Sequence, residues 1–224
     1  TRKESSAASD VYKRQFLLPV QEKGARALHF ERISAPSRKA AHGGGVPEMP
    51  LAVLSPAKTI NEGLVSPPYP LSEPAAALAD DRAELLDVVR ALSKAQLKAL
   101  MGVSDALADL NARRFADFDA QPAMNAAVAF DGPAHKALSF ATLSADAQAY
   151  AQAHIVTLSG LYGLLRPRDA IRPYRLEMGT KLRSARGEAL YAFWGGRLGA
   201  ELCRWLDALP PAQRFIVNVA SQEY

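Results

Sequence analysis

The chain has 224 residues, of which 49% are hydrophobic and 22% charged, a balance typical of a globular protein with a core of its own. This composition excludes a chain that is disordered throughout and one of low complexity. Cys203 is the single cysteine, so no internal disulfide can form, and a reducing compartment, the cytoplasm, is expected. The longest uncharged run, residues 147–165, contains glutamines, a histidine and glycines. We therefore expect no membrane span and no membrane partner.

The excess of positive charge lies in one part of the chain. The formal net charge is +4. Residues 1–48 hold nine Lys/Arg and five Asp/Glu, whereas residues 49–224 hold 18 of each. The overall charge therefore gives no information about the partners of the folded domain. Only local clusters of charge can indicate them.

The domain boundary is predicted from the same contrast. Residues 1–48 show no sustained helical or strand period, and residues 34–45 are a small-residue and basic run that ends in three glycines, which is typical of a linker. The segment Asp10–Gln15 resembles the translation of a sequencing-library adaptor. We predict that residues 1–48 are a disordered or artefactual extension with a linker, and that a single domain covers residues 49–224, starting at Met49.

Apolar periodicity after Met49 predicts alternating strands and helices. The predicted strands, in chain order, are Leu51–Ser55, Ala126–Phe130, Ile155–Ser159 and Phe215–Val219. The predicted helices cover residues 75–92, 93–101, 104–115, 144–154 and 190–209. Ser93 with Gln96, Ser104 and Ser144 are the expected helix caps. Residues 61–74 carry four prolines and are predicted as a loop. The alternation predicts a mixed α/β or α+β fold.

We expect no metal site built from soft ligands, that is, from histidine and cysteine. After Met49 the histidines are His135 and His154, the cysteine is far from both, and no CxxC, HxxxH or His–carboxylate spacing occurs. For each histidine we favour a surface or hydrogen-bonded role. We expect no metal and no other cofactor held by histidine or cysteine, and a magnesium site of carboxylates is left open.

The first candidate site follows the first predicted strand. Ser55 and Lys58 have the S-x-x-K spacing of serine acyl-enzymes, in which a lysine activates the hydroxyl. The S-D-N and K-T-G motifs that accompany it in penicillin-binding enzymes are absent. Lys58 with the hydroxyls of Ser55 and Thr59 is also suited to binding an anion at a strand exit.

A glycine-rich and arginine-rich segment follows the predicted strand Ile155–Ser159. Residues 166–186 hold seven basic and two acidic residues. Arginine donors fit phosphate or carboxylate, and Tyr162 and Tyr174 can stack on a ring. The alternative is a solvated face on which Arg–Asp and Arg–Glu pairs hold loops together. The expected anion pocket comprises Ser55, Lys58, Thr59, Tyr162, Arg166, Tyr174, Arg175, Glu177 and Asn218.

The third candidate site resembles a helix-hairpin-helix element, in which hairpin amides and the second helix N-terminus bind a backbone phosphate without reading sequence. Gly102 separates two predicted helices, and Ser104 stands where such hairpins usually carry a second glycine. The alternative is an ordinary helical hairpin packed on the core. The expected DNA-binding residues are Lys94, Lys98, Gly102, Ser104, Arg113 and Arg114.

Five segments together resemble the YaaA family of bacterial peroxide-stress proteins. They are Ser55–Thr59, Leu158–Asp169, Pro173–Gly179, Leu190–Gly195 and Asn218–Tyr224, in matching order and spacing over residues 49–224. The resemblance implies a cytosolic protein that limits oxidative damage by lowering unincorporated iron and that binds DNA, in part through a helix-hairpin-helix-like element. It also implies a mixed sheet wrapped by helices with a basic cleft. It names no reaction.

Two functional hypotheses follow, and a third is weaker. The first is a DNA-binding peroxide-stress protein whose hairpin contacts the phosphates of double-stranded DNA largely without regard to sequence. The second is an enzyme or small-anion binder that uses the anion pocket. An interaction module would explain the apolar helices but not the tyrosine and arginine cluster. Members of the family continue beyond the block Asn218–Tyr224, so we expect the domain to be incomplete at its C-terminal end.

Overall fold

The structure is a computed structural model that describes residues 50–63 and 70–224. The predicted extension over residues 1–48, the predicted start at Met49 and the middle of the predicted loop lie outside the described residues. The strands are β1 (Leu51–Leu54), β2 (Met124–Asn125), β3 (Ile155–Ser159), β4 (Gly163–Leu165), β5 (Ala170–Ile171) and β6 (Ile216–Asn218). The helices are α1 (Ala79–Arg90), α2 (Lys94–Met101), α3 (Asp105–Ala116), α4 (Ala126–Ala129), α5 (Pro133–Leu138), α6 (Ala145–His154), α7 (Leu190–Trp194) and α8 (Arg197–Asp207).

A mixed four-stranded sheet in the order β4-β3-β1-β6 lies at the centre. β1 is parallel to β3 on one side and to β6 on the other, with Val53 opposite Val156 and Asn218. β4 returns antiparallel to β3, and β2 with β5 forms a separate antiparallel pair. The predicted mixed α/β fold with a central mixed sheet is confirmed. Because β1, β3 and β6 are parallel, their carboxyl ends meet at one edge of the sheet.

The loop after β3 brings a second segment to this edge. Trp194, fully buried, donates from its indole nitrogen to the carbonyl of Gly160 at 3.0 Å. A Cβ on Gly160 would lie 2.3 Å from the carbonyl oxygen of Leu176. Only a glycine permits so close an approach of the two backbones. The result is that residues 174–177 lie against the carboxyl ends of the parallel strands.

Two predictions of secondary structure are wrong. The predicted strand Ala126–Phe130 is instead the short helix α4, preceded by the two-residue strand β2. Alanine-rich sequence favours helix over strand, and the amide of Phe130 donates to the carbonyl of Ala126 at 3.2 Å to close the turn. The long helix predicted over residues 190–209 is two helices, because Gly195 adopts a φ of +47° and ends the first of them.

The predicted helix caps are confirmed. Ser93 and Gln96 form a reciprocal capping box at the start of α2. Ser104 and Ser144 accept hydrogen bonds from the first turns of α3 and α6. In the part of the chain that the structure describes, none of the helices combines the length and the apolar character needed to cross a bilayer.

Candidate functional site

A crevice opens at the carboxyl edge of the sheet, between the loops that follow β1 and β6. Its volume is about 110 Å³. The strand order reverses around β1, because β3 is reached on one side and β6 on the other, and ligands of open α/β sheets bind at such points. The residues that line the crevice are Ser55, Pro56, Ala57, Lys58, Tyr174, Arg175, Leu176, Glu177, Ser221, Glu223 and Tyr224.

The charged wall of the crevice carries two cations and two carboxyl groups. Glu177 accepts from Lys58 at 3.0 Å and from Arg175 at 2.9 Å. The side chain of Lys58 is 60% exposed and that of Glu177 is 23% exposed, so the lysine lies at the mouth and the carboxylate deeper. Burial raises the pKa of Glu223, and the neighbouring Glu177 charge raises it further. The two carboxyl groups therefore lie in the same part of the wall and repel each other.

Buried tyrosines form the apolar wall of the crevice. The hydroxyls of Tyr174 and Ser159 lie 2.6 Å apart, and the Ser159 oxygen also accepts from the amide of Tyr162 at 2.8 Å. Burial raises the pKa of Tyr174 well above its usual value. Tyr224 accepts from the amide of Met178 at 3.3 Å, and burial likewise raises its pKa. Both phenols therefore stay neutral at physiological pH and act as fixed hydrogen-bonding groups.

A second opening, the side cavity, adjoins the same charged wall. Its volume is about 140 Å³. It shares Arg175, Glu177 and Glu223 with the crevice and is closed by Gly179, Thr180 and the last residues of α2, Leu100 and Met101. The charged wall therefore faces both the crevice and the end of the helix that precedes Gly102.

The structure brings together five of the nine residues predicted for the anion pocket: Ser55, Lys58, Tyr174, Arg175 and Glu177. Arg166 lies elsewhere. It donates to the carbonyls of Gln152 and Ala153 at 2.9 Å, and its guanidinium carbon lies 4.1 Å from the ring centroid of Trp205. Its role in this structure is to hold the end of α6.

The other three predicted pocket residues surround the crevice without lining it. Tyr162 is buried behind Tyr174, with ring centroids 5.4 Å apart, and accepts from the amide of Arg172 at 2.8 Å. Burial raises the pKa of Tyr162 to about 12. The Asn218 side chain accepts from the amide of Ala220 at 2.9 Å and shapes the loop after β6. Thr59 is exposed beside the mouth of the crevice.

The sequence prediction of the pocket omitted Ser221, Glu223 and Tyr224. All three follow the last predicted strand, as Ser55 and Lys58 follow the first. Parallel pairing of β1 with β6 would have joined the two loops at one edge of the sheet. Periodicity predicts strands but not which strands are neighbours. The sequence alone therefore did not show that the residues after the last strand lie beside those after the first.

The hairpin, which we define as α2, the turn at Gly102–Ser104 and α3, consists of two helices joined by a short turn. Gly102 takes a left-handed φ of +61°, and a Cβ there would meet nothing within 4 Å. The Ser104 hydroxyl accepts from the amide of Leu107 at 3.4 Å. The backbone of the turn is therefore open to approach from outside.

The lysines of the hairpin are ion-paired across its two helices. Lys94 lies 2.7 Å from Asp109 and Lys98 lies 2.9 Å from Asp105. The Lys98 hydrogen bond and charge lower the pKa of Asp105. These pairs connect α2 and α3 at the surface and place both ammonium groups on one exposed face.

The two arginines of α3 differ in exposure. Arg113 is exposed. Arg114 is only 11% exposed, forms an ion pair with Glu62 and donates to Asn111 at 3.3 Å. Arg113 is therefore available to a partner, whereas Arg114 anchors the start of the predicted loop.

The two histidines of the domain lie apart. His135 is buried, its Nε2 lies 3.3 Å from the hydroxyl oxygen of Thr157, and burial lowers its pKa to about 4. The ring of His154 lies 4.4 Å from that of Tyr150, centroid to centroid. Within residues 50–63 and 70–224, no three His, Cys, Asp or Glu side chains are grouped so that they could hold a metal ion.

The fold and the crevice together define an α/β protein with a small cleft, charged along one wall, at the carboxyl ends of parallel strands. Comparison with known sequences makes the assignment specific. The profile of the family described as peroxide stress protein YaaA matches residues 51–224, so the chain belongs to this family. The resemblance found in the sequence is confirmed.

Curated relatives from Burkholderia are similar over the same region. UPF0246 proteins of Burkholderia mallei strain SAVP1 and of Burkholderia pseudomallei strain K96243 are each 46% identical over 178 residues, covering 78% of this chain and 68% of the relative. The UPF0246 protein of Burkholderia thailandensis matches with the same identity and coverage.

Proposed function

We propose that this member of the YaaA family is a cytoplasmic protein of the response to hydrogen peroxide that binds double-stranded DNA through the hairpin. The single observation that carries the proposal is the open backbone of the turn at Gly102, between two capped helices. A phosphate can approach the amides at the start of α3, where the helix dipole favours negative charge. Contacts of this kind position a duplex without reading its bases.

The charges of the hairpin are compatible with this proposal. Residues 93–116 hold four basic and two acidic residues. Lys94 and Lys98 are about half exposed in their pairs with Asp109 and Asp105. Surface ion pairs of this kind are worth about 0–1 kcal/mol, so the lysines can exchange a carboxylate for a phosphate at little cost. Arg113 adds an exposed cation on the second helix.

The effect on iron is a second element of the proposal. Membership in the family supports a protein that lowers unincorporated iron and so limits oxidative damage to DNA and protein. The test is to measure chelatable iron in peroxide-treated cells that lack the full-length gene, with and without its return on a plasmid. Equal iron levels in the two strains would contradict this element and leave DNA binding to be judged separately.

DNA binding is tested by fluorescence anisotropy with two labelled duplexes of unrelated sequence over a range of salt concentrations. We expect similar affinities for both duplexes and a steep fall with salt. Charge reversal at Lys94 and Lys98 should weaken binding, and each lost phosphate contact should reduce the log–log salt slope by about 0.9. Lys136→Glu is the matched control, because Lys136 is exposed and paired with Asp131 at 2.9 Å outside the hairpin. Equal effects of all three reversals would overturn the proposal.

The crevice favours a second candidate function, which is the binding of a small charged molecule. The supporting observation is that the loops after β1 and β6 and the segment 174–177 place Lys58, Glu223, Arg175 and Glu177 around one opening at the reversal of strand order. Ser55 and Lys58 have different partners, Ser221 and Glu177. This arrangement fits a binding site better than a serine nucleophile activated by lysine.

A further inference from the structure

The charged wall of the crevice is balanced in sign. Lys58 and Arg175 face Glu177, and Glu223 lies next to Glu177. A ligand that is only an anion would lie beside the carboxyl groups, and one that is only a cation would lie beside the lysine and arginine. In either case it would meet like charge in a partly desolvated site. A ligand with one charge of each sign, a few ångströms apart, meets opposite charge on both sides.

The anionic end of such a ligand is suited to the loop after β1. Lys58 lies at the mouth with its ammonium group accessible. Ala57 and Lys58 line the crevice, and among the described residues no acceptor is hydrogen-bonded by their amides. Neighbouring free amides beside an ammonium group form a site for a carboxylate. The Ser221 amide is already used, since it donates to the Ser55 hydroxyl at 2.7 Å.

The cationic end is suited to the pair of carboxyl groups. Glu177 and Glu223 both line the crevice, and burial, followed by the charge of Glu177, raises the pKa of Glu223. An ammonium group beside both carboxyl groups offsets their repulsion and can interact with each of them. The titratable groups that face Glu223 are Glu177, Lys58, Tyr191 and Tyr224.

We infer that the crevice binds a free α-amino acid, with its carboxylate at Lys58 and the loop after β1 and its ammonium group at Glu177 and Glu223. This inference rests on the second candidate function given above. The crevice, at about 110 Å³, has room for the two charged groups and the carbon between them. The side cavity shares Arg175, Glu177 and Glu223 with the crevice. The side chain of the amino acid extends past these shared residues toward it.

The test is isothermal titration calorimetry of the full chain with each common L-α-amino acid. The amino acid that binds most tightly is then compared with its two analogues, one without the amino group and one without the carboxylate. We expect both analogues to bind at least tenfold more weakly. The affinity, measured at several pH values, should rise as the pH is raised through the pKa of Glu223, because an ammonium group beside the carboxyl pair favours its charged form.

Variants locate the site. Lys58→Met and Glu223→Gln should each weaken binding at least tenfold. Lys136→Met is the matched control for Lys58, since its side chain has a similar exposure of 66% and a similar pair with Asp131. Thermal unfolding of each variant with saturating amino acid, compared with the same variant alone, separates loss of binding from loss of fold.

The outcomes distinguish this inference from the function on which it rests. If inorganic phosphate or the analogue without the amino group binds as tightly as the amino acid, the inference is overturned and the crevice is a simple anion site. If no amino acid, analogue or phosphate binds to the chain, both the inference and the second candidate function are overturned. Tight binding that Lys58→Met and Glu223→Gln leave unchanged would also overturn the inference, because the amino acid would then lie elsewhere.

Discussion

Ser55 and Ser221 are 166 residues apart in the chain, and their side chains and backbone are joined at the edge of the sheet. The amide of Ser221 donates to the Ser55 hydroxyl oxygen at 2.7 Å, and that hydroxyl donates to the Ser221 hydroxyl at 3.2 Å. One short contact thus ties the loop after β1 to the loop after β6. Both loops line the crevice, so its shape depends on this contact.

Replacing Ser55 tests that dependence. Ser55→Ala leaves the Ser221 amide without its acceptor, and the free energy of unfolding should fall by about 1 kcal/mol. For a domain of this size the midpoint of thermal unfolding should drop by about 2–4 °C. Ser221→Ala is the control, because it keeps the amide and removes only the longer contact between hydroxyls. An equal loss in both variants would show that the hydroxyl pair, rather than the amide, joins the loops.

Gly160 should tolerate no side chain. Its Cβ would lie 2.3 Å from the carbonyl oxygen of Leu176, which belongs to the backbone that lines the crevice. We expect Gly160→Ala to lower the free energy of unfolding by about 3 kcal/mol. Gly196→Ala is the control, since a Cβ there meets nothing within 4 Å and alanine reduces the entropy of the unfolded chain. Urea unfolding of both variants measures the difference, and a stable Gly160→Ala protein would contradict the close approach.

The sequence predicts the elements that carry strong local signals. β1, β3 and β6 are short apolar runs bounded by turn residues, and α2, α3 and α6 begin at serine caps. The helix α4 was predicted as a strand, because Ala126–Phe130 is apolar without a distinguishing period. The pair of strands β2 and β5 has only two residues on each side, which is too short for any pattern to be seen.

The candidate site is only partly contained in local sequence. The S-x-x-K spacing identified Lys58, and the charge cluster identified Arg175 and Glu177. The same cluster also included Arg166, whose guanidinium instead covers Trp205. Which side of the sheet an arginine reaches depends on the turn that precedes it. The residues Glu223 and Tyr224 become part of the crevice through the pairing of β1 with β6, a contact between segments that are distant in the chain.

Arg166 should matter for stability and not for DNA. Arg166→Ala removes two hydrogen bonds to carbonyls at the end of α6 and the contact with Trp205. We expect a loss of about 2 kcal/mol in the free energy of unfolding and an unchanged affinity for duplex DNA below the new midpoint. Arg183→Ala, at an exposed pair with Glu188, is the control and should change neither. Loss of DNA binding with unchanged stability would show that a surface around Arg166, rather than the hairpin, holds the duplex.

Two buried groups should give the domain opposing responses to acid. Burial lowers the pKa of His135 from 6.5 to about 4, so the unfolded chain takes up a proton first and stability falls as the pH drops from about 6.5 to 4. Burial raises the pKa of Asp169 from 3.8 to about 6, so the folded state takes up a proton first and stability rises over the range from about 6 to 4. Each contribution is about 3 kcal/mol at most.

Replacing either group should reveal the pH dependence of stability that the other contributes. Asp169→Asn should make stability fall more steeply between pH 7 and pH 5 than in the parent chain. His135→Gln, which keeps a polar group near Thr157, should make stability rise over the same interval. Urea unfolding at several pH values measures both slopes. Parallel curves for the two variants and the parent would show that neither group titrates differently in the folded and unfolded states.

The last prediction concerns the outer strand of the sheet. β6 is at the edge of the described sheet, and Phe215, Val217 and Val219 are 41%, 36% and 58% exposed. Alternate residues of a strand point to one face, so these side chains form a continuous apolar surface. Such a surface favours association.

Replacing Val217 and Val219 with threonine keeps the β-branched shape. It should reduce binding of a hydrophobic dye at least twofold and lower the light scattering of concentrated solutions. Leu107→Thr, at a single exposed leucine of 38% exposure on α3, should change little. If Leu107→Thr had the larger effect, the apolar surface that causes association would lie on the hairpin rather than on β6.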